Sequence, residues 1–473
     1  MAANDATWKS PIDKIQQAWQ IPNIRTRLIF VLSMFGIYVL GLHTPAPYVN
    51  SAAIEQIAST GALGLMDIIS GGAFKRLSIL ALGIIPYINA SIIMQLLGIA
   101  VPAVQKLQKE GDSGRKVLSF YTRIGTVGLA IFQAAGIAYM LLRMGGINTN
   151  VGFGALNIIP VILVMAAGTS FLMWMGEQLT DKGIGNGVSL IIFAGIMIGL
   201  PSNIVNIIRQ AALNSDAGMG AFTLLRIVLI IAVFLAIIVF ITYFHQAIRN
   251  IPVQHAKRVV AGRTYGGNNS FLPLKLITAG VIPIIFASSV VLLPPTIATF
   301  YRQANFVGVD EALVPTWVKF CEMLQPGYHG HFWDVMIGSS TIPFGAIFGG
   351  VLYFLLVVFF TYFYTAVVYN VQDIADNLKK QGSFVPGLRP GKQTEDYIDM
   401  VLTRITFAGA IFLGVVALLP YIIPVLVQDA TGYNVSTALW GGTSLLIVVG
   451  VAIDTMKQLE ALLVTRHYDG FIK

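Results

Sequence analysis

The sequence predicts an all-α integral membrane protein with ten transmembrane helices in an inverted five-plus-five pseudo-symmetric repeat. Three observations predict it. First, 56% of the 473 residues are hydrophobic and only 11% are charged, whereas soluble chains carry about 25% charged residues; mean hydropathy is +0.75. Second, the apolar residues gather into ten segments of spanning length. Third, two distant stretches, GIIPYINAS (83–91) and GVIPIIFAS (280–288), match at six of nine positions.

The N-terminus, 1–27, is polar, lacks a signal-peptide core and is too acidic and too poor in arginine for a transit peptide, so the first span serves as the insertion signal. Spans are expected near 28–47, 75–101, 123–143, 155–176, 188–208, 222–244, 276–297, 342–369, 405–428 and 438–456. With the N-terminus inside, 23 of the 30 Lys and Arg fall in cytoplasmic segments. The positive-inside rule therefore places both termini in the cytoplasm. This divides the chain into an N-terminal half at 28–208, an outer connection at 209–221, a C-terminal half at 222–456 and a cytoplasmic tail at 457–473.

The twin stretches lie in spans two and seven. An odd separation of five crossings makes the copies antiparallel, and inverted repeats of this kind place a functional path between their halves. Pro86 and Pro283 share one register, so both helices are expected to be interrupted by proline, facing a cavity or a moving interface. Shared use of Gly, Ala and Ser in helix packing is the plainer explanation of the match.

Between Pro47 and Lys75 lies a segment too short to span. Its apolar part, GALGLMDII, ends at Ser70, Gly71 and Gly72 and reads as a half-helix on a flexible joint or as a surface amphipathic turn. Charges within spans are confined to their ends: Glu177, Asp454 and Lys457 on the cytoplasmic side, Lys75, Arg76, Arg143 and Arg209 on the outer side. The lack of an intramembrane carboxylate relay counts against ion-coupled transport. Isoleucines instead cluster around the prolines: Ile84, Ile85 and Ile88, then Ile282, Ile284 and Ile285. Any one of them reads first as a lipid-facing or packing residue, but a ring of such side chains can close a pore by excluding water.

No GxxxxGK[ST] phosphate loop occurs, and the glycines of 183–187 read as a tight turn before span five. His329 and His331 form an HxH pair without a third ligand, and six histidines with the single Cys321 make no nucleophile–base constellation. Cys321 reads as an inert loop thiol. Neither metal nor cofactor is expected. Two cytoplasmic loops are candidate docking surfaces, although topology control alone accounts for basic loops of this kind. Loop 245–275 carries Arg249, Lys257, Arg258, Arg263 and Lys275 without an acid, and loop 370–404 contains VPGLRPGK. There the Pro and Gly residues set a turn with Arg389 at its tip, suited to a phosphate or carboxylate partner.

The blocks SGGAFKRLSILALGIIPYINASIIMQLL, GEQLTDKGIGNGVSLIIFAGI, LPLKLITAGVIPIIFASS, ADNLKKQGSFVPGLRPGKQT and GGTSLLIVVGVAIDTM, in this order, resemble the bacterial SecY family of protein-conducting channels. The resemblance runs over nearly the whole chain. It implies an hourglass channel for unfolded polypeptides, whose halves open across the membrane and sideways into lipid. The positions matching the family's pore ring are Ile84, Ile88, Ile192, Ile285 and Ile447, with Ile196 and Ile282 as further lining candidates. Segment 61–72 matches the plug, hinged at Gly71 and Gly72, and Pro86, Asn89, Gln95, Pro283 and Phe286 match the lateral gate.

The same resemblance implies a passive conduit, not an enzyme, in the bacterial inner membrane. It implies SecE and SecG as companion subunits, and SecA or a ribosome docking on Lys257, Arg258, Arg263 and Arg389; no DNA binding is expected. Two features depart from the family pattern. Loop 245–275 reads Gly262-Arg263-Thr264 where consecutive arginines are common, and the outer loop 298–341 is long. A secondary transporter would need intramembrane polar ligands, and a membrane enzyme a clustered nucleophile or metal; the spans show neither.

Overall fold

The computed structural model describes residues 11–49, 67, 70–143, 145–149, 152, 154–213, 221–255, 258–260, 263–265, 269–306, 313–326, 335–337, 340–342, 344–431 and 442–469. A helix occupies each of the ten expected segments. In chain order, after the short surface helix α1 (Pro11–Gln20), come α2 (Pro22–His43), α3 (Ile85–Ala100), α4 (Pro102–Lys109), α5 (Asp112–Arg143), α6 (Ile158–Lys182), α7 (Gly187–Leu213) and α8 (Ala221–Gln246). The second half contains α9 (Ile282–Asn305), α10 (Thr316–Met323), α11 (Phe344–Val368), α12 (Val371–Lys380), α13 (Lys392–Thr431) and α14 (Gly442–Asp469). Among the described residues, six helices are by themselves long and apolar enough to cross a membrane, and α3 with α4 forms a broken seventh, bent by 104°. The bend falls where Pro102 opens α4, since a proline favours an extended residue before it.

The second and seventh spans start later than expected. Residues 70–84 form consecutive turns, so α3 begins at Ile85 and α9 at Ile282, matched positions of the twin stretches. The duplication extends to backbone geometry. Gly83 and Gly280 both lie in the left-handed region, φ +60° and +63°. Their N–H groups donate to Leu80 O at 2.8 Å and Ile277 O at 3.2 Å. Pro86 and Pro283 then sit in the first helical turn, where a missing N–H costs nothing. The expectation of helices interrupted at these prolines is therefore corrected: they start the helices. Interior prolines occur elsewhere, at Pro294 and Pro295 in α9 and at Pro201 in α7.

The main core joins both halves: Ile88, Ile192, Ile285 and Ile447 belong to one buried cluster with Leu172, Val357 and Leu413. Residues such as Leu40, Leu163 and Val239 are 60–70% exposed on the outside of their helices, as a lipid-facing surface requires.

Strands supply what hydropathy did not anticipate. β1 (Ile248–His255), β4 (Asn269–Lys275) and β7 (Ser383–Phe384) form one antiparallel sheet in the order β4-β1-β7, and β2 (Arg258–Val260) pairs with β3 (Arg263–Tyr265). The two predicted docking loops are thus one structure, with Gln254 opposite Phe384. His255 bridges them, its ring nitrogens 2.9 Å from Ser270 Oγ and 2.6 Å from Ser383 Oγ. α9 continues to Asn305, so the long connection begins at 306 rather than 298. It contains α10 and the hairpin of β5 (Val335–Ile337) with β6 (Ser340–Ile342). An Arg302–Glu322 ion pair at 2.8 Å and the packing of Val314 and Val318 on Ala298 hold α10 to α9. Cys321 is half-buried there, and burial pushes its thiol above the ordinary range.

Candidate pore ring, plug joint and gate

Four helices bring four isoleucines together. Ile88 of α3, Ile192 of α7, Ile285 of α9 and Ile447 of α14 line one cavity of about 110 Å³. All four are buried, at 4%, 1%, 8% and 5% exposure, and give the cavity an aliphatic wall. Ile88 and Ile285 are equivalent in the duplication, each accepting its place from a helix start three or four residues earlier: Ile88 N–H donates to Ile84 O and Ile285 N–H to Val281 O. The repeat thus sets two isoleucines against one cavity. Ile84 and Ile196 are buried in the same core but do not border the cavity, and neither does Ile282; Ile85 does.

The cavity extends along the seam between α3 and α9 to α5. Asn89, Gln133, Ser288, Ser289 and Thr296 give it a polar stripe within otherwise apolar walls. The Gln133 carbonyl oxygen is buried without a hydrogen-bond partner. The sequence offered a signal for it, a lone amide in an apolar span, which hydropathy averaging conceals. Among the predicted gate residues, only Asn89 lines this space. Gln95 bonds within its own helix, donating to Ser91 Oγ at 3.3 Å. Phe286 turns away from the seam, edge-on to Phe360 and Tyr364 of α11 at 5.9 and 6.2 Å. Pro86 and Pro283 are buried at the helix starts that border it.

The plug segment 61–66 and residues 68 and 69 lie outside the described residues; Asp67 and its joint lie within them. Gly71 and Gly72 have φ +73° and +85°, a conformation that excludes most side chains. A Cβ on Gly71 would stand 2.7 Å from Gly195 O, on the helix that carries Ile192. Glycine is required there for close approach. Asp67 is buried, and its carboxylate accepts the Lys75 N–H at 2.9 Å while its carbonyl accepts the Gly72 N–H at 2.8 Å. Burial holds its carboxyl above the usual carboxylate range, against the lowering effect of that hydrogen bond. Tyr38 of α2 donates to Ser70 O at 3.2 Å and fixes the joint from the other side.

Arg389 is exposed on a turn with Gly387 and Gly391 at φ +83° and +111°. Its backbone is pinned on both sides, N–H to Gln393 Oε1 at 3.3 Å and carbonyl from Thr394 Oγ1 at 2.9 Å. Arg258 and Arg263 lie on the paired strands β2 and β3, while Lys257 and the pair His329 and His331 lie outside the described residues.

The SecY family model matches residues 78–456. The protein translocase subunit SecY of Halalkalibacterium halodurans is 40% identical over 462 residues, covering 97% of this chain and 99% of the relative. That of Thermotoga maritima is 40% identical over 471 residues, covering 97% of each. Among solved structures, a protein-conducting channel overlays with TM-score 0.62 at 19% identity, covering 91% of each chain. Sec61 in the canine ribosome-channel complex overlays with TM-score 0.58 at 18% identity, again covering 91% of each. The order of motifs, the duplicated helix starts and these matches together place the chain in the SecY family.

Proposed function

We propose that this chain is the protein-conducting channel subunit of a Sec translocase, with Ile88, Ile192, Ile285 and Ile447 as the pore ring. The observation that carries this reading is the convergence of four buried isoleucines, one from each of four helices drawn from both halves, on a single cavity. An aliphatic ring makes no hydrogen bonds that depend on sequence, so it accommodates varied unfolded chains, and when empty it disfavours water and ions. Ile84 supports the ring from the helix start, and Gly71 with Gly72 forms the joint on which the plug turns.

The seam between α3 and α9 serves as the lateral gate. Asn89, Gln133, Ser288, Ser289 and Thr296 make this seam more polar than a permanently packed apolar core. Parting of the seam gives a passing segment access to lipid. A central Leu then contributes about −0.3 to −0.6 kcal/mol and a central Lys or Arg costs about 2.5 to 3.5 kcal/mol, so hydropathy sorts the two exits. The halves 28–208 and 222–456 move against each other about the connection 209–221, with SecE clamping them and SecG peripheral.

Directed movement draws on a partner, since the sequence has no phosphate loop. SecA or a ribosome docks on the surface formed by the β2-β3 hairpin of Arg258 and Arg263 and by the Arg389 turn that follows β7. The membrane is the bacterial inner membrane, with both termini cytoplasmic. A photocrosslinker at position 88 or 285 in an active complex is expected to trap a stalled secretory precursor; no adducts, with translocation intact, would reject the ring assignment.

A further inference from the structure

A second buried cluster belongs to the N-terminal half, with Phe74 from the 70–84 turns, Ile137 and Met140 from α5 and Met165 from α6. Among the described residues, one side chain of the other half packs against it: Phe300 of α9. Its ring enters at a glycine. A Cβ on Gly136 of α5 would stand 2.7 Å from Phe300 Cδ2 and 3.1 Å from Cε2, so any larger residue displaces the ring from this notch. Gly136 continues the face of Leu129, Phe132 and Gln133, which line the seam cavity from α5 at i, i+3 and i+4. Phe300 lines the same cavity from the opposite wall. It lies well beyond Ile285 on α9, about 22 Å along the helix, so the isoleucines and the notch are opposite ends of one seam.

Between these ends α9 is weakened. Pro294 and Pro295 supply no N–H to the carbonyls of Val290 and Val291, four residues back. The Thr296 and Thr299 hydroxyls donate to Leu292 O at 2.6 Å and Pro295 O at 2.8 Å, back-bonds that favour bending. The segment carrying Phe300 is tied instead to α10 of its own half, by the Arg302–Glu322 pair and by Tyr301 against Trp317, ring centroids 5.0 Å apart. We infer that Phe300 in the Gly136 notch is a latch on the lateral exit, which sets how apolar a passing segment must be to part the seam. When the seam parts, the end of α9 swings with α10 about the proline pair and the ring leaves its notch. This rests on the channel reading, to which it adds a specificity-determining contact remote from the isoleucines.

The test uses the complex with its companion subunits and motor in sealed vesicles, and a precursor carrying an alanine guest segment with a graded number of leucines. The readout is the ratio of integrated to exported product. Phe300 is half-buried, and half the burial of a phenyl ring corresponds to about fivefold, so F300A is expected to raise the ratio about fivefold and move its midpoint to fewer leucines. G136A, which drives the ring from its notch, should act likewise, yet add nothing in F300A/G136A, where no ring is left to displace. F300L, which keeps apolar bulk, should fall between F300A and the parent. G128A, the same change on α5 where a Cβ meets nothing within 4 Å, should match the parent. Unchanged partition in F300A, additive effects in the double variant, an equal shift in G128A, or equal loss of integration and export would overturn the latch. Failure of the parent complex to export the precursor without a guest segment would overturn the channel reading, and the latch with it.

Discussion

Replacing Ile88 and Ile285 together with asparagine is expected to make the empty channel leak ions. These residues are the two copies of one position in the duplication, and they border the same cavity from α3 and α9. Each is more than nine-tenths buried, and full burial of an isoleucine corresponds to roughly 1.5–3 kcal/mol of apolar stabilisation. Asparagine at both positions gives water hydrogen-bonding partners at the level of the proposed ring. Lowering a barrier by about 1.4 kcal/mol speeds passage tenfold, so single-channel conductance without precursor should rise about tenfold or more. The paired change to valine, which keeps the ring apolar, should leave it sealed. Equal, low conductance in both variants would show that the seal lies elsewhere.

Gly168→Leu is expected to abolish the folded protein. On α6, a Cβ at this position would stand 1.9 Å from Ile79 O and 2.9 Å from its carbonyl carbon. Backbone cannot yield as a flexible side chain would, so α6 must move away from the 70–84 turns. The neighbouring Thr169 hydroxyl, which donates to Gly83 O at 3.3 Å, moves with it. Overpacking of a dense core costs about 1–3 kcal/mol and at times more, and here it also undoes the helix start that positions Ile88. The contrasting change Gly128→Leu meets nothing within 4 Å and removes a helix-weakening glycine, so it should express normally. Monodisperse elution from size-exclusion in detergent distinguishes the two.

Much of this architecture was legible in the sequence, and the exceptions have identifiable physical causes. Span positions follow from hydropathy because the bilayer fixes element length. The five-plus-five reading follows from six identities at one register, and the paired left-handed glycines Gly83 and Gly280 bear the match out in backbone geometry. The same stretch was misread in one respect. LSILALGIIP is apolar throughout, and apolarity does not distinguish a helix from turns buried among helices. Pro86 therefore reads as a mid-helix break when it is a first-turn proline.

The cytoplasmic sheet escaped for another reason. It joins Gln254 to Phe384 across the intervening spans, and Pro252 and Pro273 within β1 and β4 argue against strands. Site residues divided in the same way. Ile88, Ile192, Ile285 and Ile447 border one cavity and Ile84 does not, while Phe286 shares a register with Asn89 in the repeat yet packs into its own half. A one-dimensional match fixes position along a helix; the neighbours decide which way the side chain turns.

The central claim, passage of a polypeptide through this chain, is tested most directly in sealed vesicles containing the purified chain with SecE, supplied with SecA, ATP and a secretory precursor. The account predicts that the precursor becomes protected from added protease in an ATP-dependent manner and is exposed again when detergent opens the vesicles. Absence of protection, where a known channel in parallel vesicles protects the same precursor, would contradict it.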